Sequence, residues 1–167
     1  KEFLKTELLF NNNLALRLSI LAKTNALDEI FQSAKINFNI INGKINLDQT
    51  TFTNNKIGLL QLENSNLFIK DNQLILNTNI SIIIKNSKPL FSFLNTSKKS
   101  RKEIKNILIN LNYNFLDNEI KFNSIKIDNK VVNDQFLNVI DGFSDNNFNN
   151  LTRSRRLLNK LFYLYEG

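Results

Sequence analysis

The sequence predicts a mainly β protein: a curved antiparallel sheet with short helices and a C-terminal helical cap. Three observations predict it. Apolar and polar residues alternate through most of residues 34–84 and 104–127, and strands set alternate side chains on opposite faces. Turn dipeptides such as Asn42-Gly43 and Asp71-Asn72 punctuate the alternation, as hairpins require. Strong helical spacing is confined to the chain beyond residue 130.

The elements follow in order. Residues 1–9 carry mixed signals. Leu14, Leu16, Leu18 and Ile20 alternate with Ala15, Arg17 and Ser19, giving a first strand over 13–22. Thr24 or Asn25 can cap a short helix running to Phe31, with Asp28 and Glu29 placed to favour its dipole. Ile36, Phe38 and Ile40 form the next strand, Asn42-Gly43 the turn, and Ile45 and Leu47 the return. A short strand over 50–53 ends at Asn54-Asn55. The apolar phase then moves from Ile57 and Leu59 to Leu60 and Leu62. A one-residue shift would swap faces, so a bulge is expected near Leu59-Leu60. Leu67 and Ile69 lead into Asp71-Asn72. Leu74, Leu76, Thr78, Ile80, Ile82 and Ile84 then share one face of a strand roughly 40 Å long.

Beyond Ile84 the pattern changes. Pro89 suits the first turn of a helix over 89–95, with Leu90, Phe91, Phe93 and Leu94 as its apolar side. Lys98, Lys99, Arg101 and Lys102 read as a solvated turn. Ile107, Ile109, Leu111, Tyr113 and Phe115 form a strand, residues 116–118 turn the chain, and Ile120 and Phe122 return it. The phase moves again to Ile125 and Ile127, predicting a bulge near Asn123-Ser124. Asp128-Asn129 should end the sheet. Val132, Phe136, Val139 and Ile140 suggest a helix over 131–143. The last helix, 151–165, carries Arg153, Arg155, Arg156 and Lys160 opposite Leu157, Leu158, Leu161, Phe162 and Tyr165.

The chain of 167 residues reads as one domain over 1–167, with the sheet in 13–127 and the C-terminal helices in 131–165. It contains no Met, so a processed product or a piece of a longer protein is expected. No apolar run is long enough to span a bilayer. With neither Cys nor His, the chain lacks thiolate nucleophiles, zinc–sulfur sites and the commonest general base. Asp28-Glu29 are neighbours that do not share a helix face, Asp71 and Asp128 sit at turns, and Ser97, Lys98 and Ser100 match a Ser-Lys spacing only by chance. The reading is therefore not an enzyme, with no catalytic residue, metal or cofactor. The net charge of +7 comes from lysines scattered over polar strand faces without the interleaved aromatics of a single-strand binder, so no nucleic-acid partner is expected.

Several strings carry a family likeness. Asn42-Gly43-Lys44-Ile45-Asn46-Leu47, then Leu62-Glu63-Asn64-Ser65-Asn66-Leu67-Phe68-Ile69, then Asn72-Gln73-Leu74-Ile75-Leu76 resemble the AsmA-like superfamily of TamB- and YhdP-type envelope proteins, in its C-terminal portion. The ending is also similar: Pro89-Leu90-Phe91, a hairpin with outgoing strand 120–128, then two helices. The resemblance implies an elongated β-groove protein, its curved sheet forming a taco-like open groove, attached to the inner membrane of Gram-negative bacteria and lying in the periplasm. It implies phospholipid transport toward the outer membrane, support of envelope integrity, envelope-protein partners and a membrane anchor upstream of these residues.

A sheet with one apolar face must cover it, close on itself, or bind something apolar. The candidate groove lining is Ile36, Phe38, Ile40, Ile45, Leu47, Leu67, Ile69, Leu74, Leu76, Ile80, Ile82, Ile84, Ile107, Ile109, Leu111, Tyr113, Ile120 and Phe122, facing a phospholipid or other apolar ligand. Leu157, Leu158, Leu161 and Phe162 are the candidate C-terminal lid. The alternative is a structural or adhesion module, a solenoid or sandwich with a sealed core. A small carboxylate hydrolase is a third, weaker reading.

Overall fold

The computed structural model describes residues 10–24, 30–141 and 151–165. The helix expected between Thr24 and Phe31 falls largely on residues outside this set. Nine strands join in one antiparallel sheet: β1 (Ala15–Lys23), β2 (Ser33–Ile41), β3 (Lys44–Asn46), β4 (Thr51–Asn54), β5 (Gly58–Lys70), β6 (Gln73–Ile84), β7 (Asn106–Asn114), β8 (Glu119–Ile127) and β9 (Lys130–Val131). The spatial order is β1-β2-β3-β5-β6-β7-β8-β9, with β4 also pairing β2 and β5. The protein is thus mainly β, as its alternation predicts. Among the described residues three α-helices accompany the sheet: α1 (Ser87–Phe93), α2 (Asp134–Asp141) and α3 (Leu151–Leu164).

Turn chemistry accounts for the tight hairpins. Asn42 and Gly43 have φ of 50° and 70°, Asp71 and Asn72 51° and 58°, and Asp128 and Asn129 48° and 67°. Two successive positive φ values match the twist of flanking strands, and Asn, Asp and Gly tolerate them. Gly58 is held by space as well: a Cβ there would stand 1.9 Å from the carbonyl oxygen of Ile83.

The expected bulge at Leu59-Leu60 does not occur. Leu59 pairs with Ile83 and Leu60 with Ile82 in unbroken register. Leu59 and Ile83 are an apolar pair on the outer face, which imitates a phase shift. The real shift lies between Glu63 and Asn66, where Asn64 has φ of 50°. It faces the break between β3 and β4, and Asp48 Oδ1 accepts the Ser65 N–H at 2.6 Å across it. The second expected bulge is present: Asn110 pairs Ser124 while Leu111 pairs Phe122, leaving Asn123 extra.

Two boundaries also differ. The turn at Asp128-Asn129 does not end the sheet, because Lys130–Val131 folds back on β8. The following helix therefore starts at Asp134 rather than at Val131. α1 starts two residues before Pro89, capped by the Asn86 side chain, which accepts from Lys88 N–H.

The polar face has its own order. Arg17, Asn39, Asn46, Asn66, Asn77, Asn112 and Lys121 stand opposite one another across seven strands. Asn77 Nδ2 donates to Asn112 Oδ1 at 2.7 Å, and Arg17 Nε to Asn39 Oδ1 at 3.0 Å. A second row links Asn123, Asn110 and Asn79, each amide donating to the next at 2.6 Å. An amide both donates and accepts, and strand spacing of about 4.8 Å lets it chain sideways. A slip in register would break these rows, so they reinforce the pairing that the apolar face demands.

Among the described residues, no strand pairs with the outer edge of β1. Thr24 N–H donates to Gln32 O just ahead of β2, while Asn37, the partner of Ser19, turns its own N–H and C=O toward Thr50. The N–H and C=O of Ser19 therefore point outward, because bonded and non-bonded pairs alternate along an antiparallel ladder. Leu16, Leu18 and Ile20 beside them are 44%, 45% and 46% exposed. Such an edge pairs with other chains. The protein should associate with rising concentration in light scattering. Ser19→Pro, which removes an outward N–H and an exposed side-chain bond to Asn37 but no hydrogen bond of the ladder, should suppress association without loss of β content. A strictly monomeric wild type at high concentration would contradict this.

Candidate functional site

The register sets the apolar face strand by strand. Ile82 on β6 pairs Leu60 on β5 and Ile107 on β7, which pairs Ile127 on β8; Leu60 in turn pairs Phe52 on β4, and Phe52 pairs Ala34 on β2. A second row runs Leu16, Ile40, Ile45, Leu67, Leu76, Tyr113 and Ile120 from β1 to β8. Because side chains alternate and the two bulges restore phase, Ile36, Phe38, Ile69, Leu74, Ile80, Ile84, Ile109, Leu111 and Phe122 lie on this same face. Of the expected lining, Leu47 departs from the sheet. It sits in the turn after β3, its N–H donating to Ser65 O. Sequence reasoning left out Leu16, Leu18, Ile20, Leu60, Leu62, Ile125 and Ile127, which the pairing adds.

This face is covered unevenly. At one end of the strands, Ile84, Ile125 and Ile127 pack with Phe91 of α1 and Leu94 just after it, with Ile104 ahead of β7, with Phe136, Val139 and Ile140 of α2, and with Leu161 and Phe162 of α3. Toward the other end, Ile40, Ile45, Leu67 and Leu74 are buried with Phe10, Leu14, Phe38, Leu76 and Phe115 against them. Between these clusters Thr78 is buried, and its hydroxyl shares a short hydrogen bond with that of Ser65. Along β1 the face is exposed.

The expected lid residues all reach this face. Leu161 and Phe162 are buried, and Leu157 and Leu158 pack on the same cluster. Phe162 meets Phe91 edge-on, with ring centroids 5.4 Å apart. Asn159 Nδ2 donates to Leu94 O at 2.9 Å, tying α3 to the end of α1. At the far end of α3, the Tyr165 hydroxyl donates to Asp128 Oδ2 at 3.0 Å. Burial pushes the Asp128 carboxyl upward, but the N–H groups of Asn106 and Lys105 and the Tyr165 hydroxyl outweigh it and hold it below the ordinary carboxylate value. Burial, then the hydrogen bond and charge of Asp128, raise the Tyr165 phenol.

Where α1 and α3 roof the sheet they leave a cavity of about 210 Å³. The sheet supplies Leu60, Ile82, Ile84 and Ile107, α1 and its C-cap supply Leu90 and Leu94, and α3 supplies Leu158 and Phe162. Asn54 is the one polar side chain among the described residues lining it. Pockets for drug-sized ligands measure about 300–1,000 Å³, so this smaller space suits part of an apolar chain.

Of the residues weighed for catalysis, Asp71 and Asp128 are turn residues, Asp28 and Glu29 lie outside the described set, and Ser97 is hydrogen-bonded to Ser100 at 3.1 Å. Among the described residues, no helix is long and apolar enough to cross a membrane.

No protein-family model, no curated protein and no solved structure matches this chain.

Proposed function

We propose that this chain is a non-catalytic, lipid-binding segment of the AsmA-like type, holding or conducting phospholipid along the apolar face of its sheet. It would act in the periplasm, tethered to the inner membrane by other parts of a longer protein, and support envelope integrity together with envelope partners. The observation that carries the reading is one apolar face running across the strands from β1 to β8, part roofed by helices and part exposed along β1. A large exposed apolar surface on a folded protein marks a place where something apolar sits. The cavity under α1 and α3 supports the same reading, because it extends the face into a nearly non-polar recess.

Native mass spectrometry of the purified protein, with lipid extraction alongside, tests the proposal. Adducts with phospholipid masses are expected, together with uptake of chain-labelled phospholipid from vesicles. A protein that carries no lipid and takes none up is instead a structural module with a sealed core.

A further inference from the structure

One half-buried cation stands at the rim of the cavity. Arg155 is three residues before Leu158 and seven before Phe162, so the three share a stripe of α3. Leu158 and Phe162 line the cavity, which places Arg155 about one turn, roughly 5 Å, along the axis from its wall. The guanidinium carbon lies 5.0 Å from the ring centroid of Phe93, between the α1 residues Leu90 and Leu94 that form the other wall. Its Nε is buried with no hydrogen-bond partner. Asn159 Oδ1 and Thr96 Oγ1 at the end of α1 are likewise buried without partners. An unpaired donor on a charged group is costly to bury, whereas a guanidinium fork matches a phosphate or carboxylate. The surroundings are cationic: Arg156 and Lys160 are exposed on α3, and Lys98, Lys99 and Arg101 are exposed on the segment that packs beside it.

An apolar cavity with a cation at its rim is built for an amphiphile. We infer that Arg155 anchors the anionic phosphate of a lipid headgroup while part of the acyl chain enters the cavity between the sheet, α1 and α3. This rests on the lipid-binding reading above and adds what that reading lacks, a place where the head is held and a reason for the ligand to carry phosphate. Asn159 and Thr96 offer buried, unpartnered polar atoms at the same helix junction, and the exposed lysines and arginines draw the anion toward the anchor.

The test uses two chain-labelled probes with identical acyl chains, phosphatidic acid and diacylglycerol, plus glycerol phosphate as a chainless competitor. Wild type should bind phosphatidic acid about tenfold or more tightly than diacylglycerol, the size expected of a charge-assisted hydrogen bond. Added salt should shrink the ratio. Arg155→Gln should bring the two probes to equal affinity without weakening diacylglycerol, and Arg155→Lys should fall between. A ratio near one in wild type, or an unchanged ratio in Arg155→Gln, overturns the anchor while leaving lipid binding intact. Full competition by glycerol phosphate overturns it too, since the site would then be one for a free anion. Failure of both probes to bind wild type removes the lipid reading and the anchor together. If Arg155→Gln does not fold, the wild-type ratio and its salt dependence decide.

Discussion

Phe162→Ala should cost about 3–5 kcal/mol of stability in denaturant melts without any lipid, the range found for deleting a buried aromatic ring. Phe162 is 6% exposed and stands edge-on to Phe91, so the truncation leaves a void against Ile84, Leu94 and Ile104 that rigid strands cannot close. Removing residues 151–167 altogether should lower the melting temperature further. It strips the cover from Phe91 and Leu94, cuts the Asn159 bond to Leu94 O, and frees Asp128 from Tyr165. These losses need no membrane. The opposing account makes α3 a surface helix that lies on anionic lipid with its apolar side in the bilayer. On that account the shortened protein would melt like the full chain and lose only its binding to anionic vesicles. The burial of Leu161 and Phe162 within the fold is why a stability loss is expected instead.

The ease with which different parts could be read from sequence has a physical cause. Hairpin turns were legible because their signal is local: the side chain that tolerates positive φ occupies the position that needs it, as at Asn42-Gly43 and Asp71-Asn72. The bulge at Asn123 was legible because Phe122 and Ile125 disagree in phase across two polar residues. At Leu59-Leu60 the same test failed, since Leu59 belongs to an outer-face pair with Ile83 and two adjacent apolar residues look like a shift. The true bulge lies in Asn64-Ser65, where Leu62 and Leu67 also disagree in phase but across four polar residues, beside the false signal at Leu59-Leu60. Val131 and Val132 suit a strand as well as a helix, and the positive φ of Asp128 and Asn129 turns Lys130 and Val131 back as β9. Cross-strand features were beyond reach. The asparagine row needs the register of seven strands, and the cavity and Arg155 need the contact between α1 and α3, which residue spacing does not encode.

Ile82→Lys separates an open apolar face from a sealed one. Ile82 is half-buried, lines the cavity, and stands between Leu60 and Ile107 in one row of the face. A lysine there has a four-carbon stem that can lie along apolar surface while its ammonium reaches water at the rim. With the face open, the variant should lose no more than about 2 kcal/mol, a typical single-site cost, and its lipid occupancy should fall sharply because the charge sits where a chain would lie. With the face sealed, the same ammonium has no path to water, and burying it unpaired is severe enough to unfold the domain. Ile40→Lys supplies the comparison within the same sheet. Ile40 is 0% exposed and packed against Ile45, Leu67 and Leu74, so this variant should fail to fold under either account. The informative quantity is therefore the gap between the two lysine variants in thermal melting, read beside lipid extraction. A wide gap with lost lipid in Ile82→Lys supports a face that holds lipid. If both variants collapse alike, the cavity under α1 and α3 is part of a closed core, and the lipid reading fails at the site where the structure supports it best.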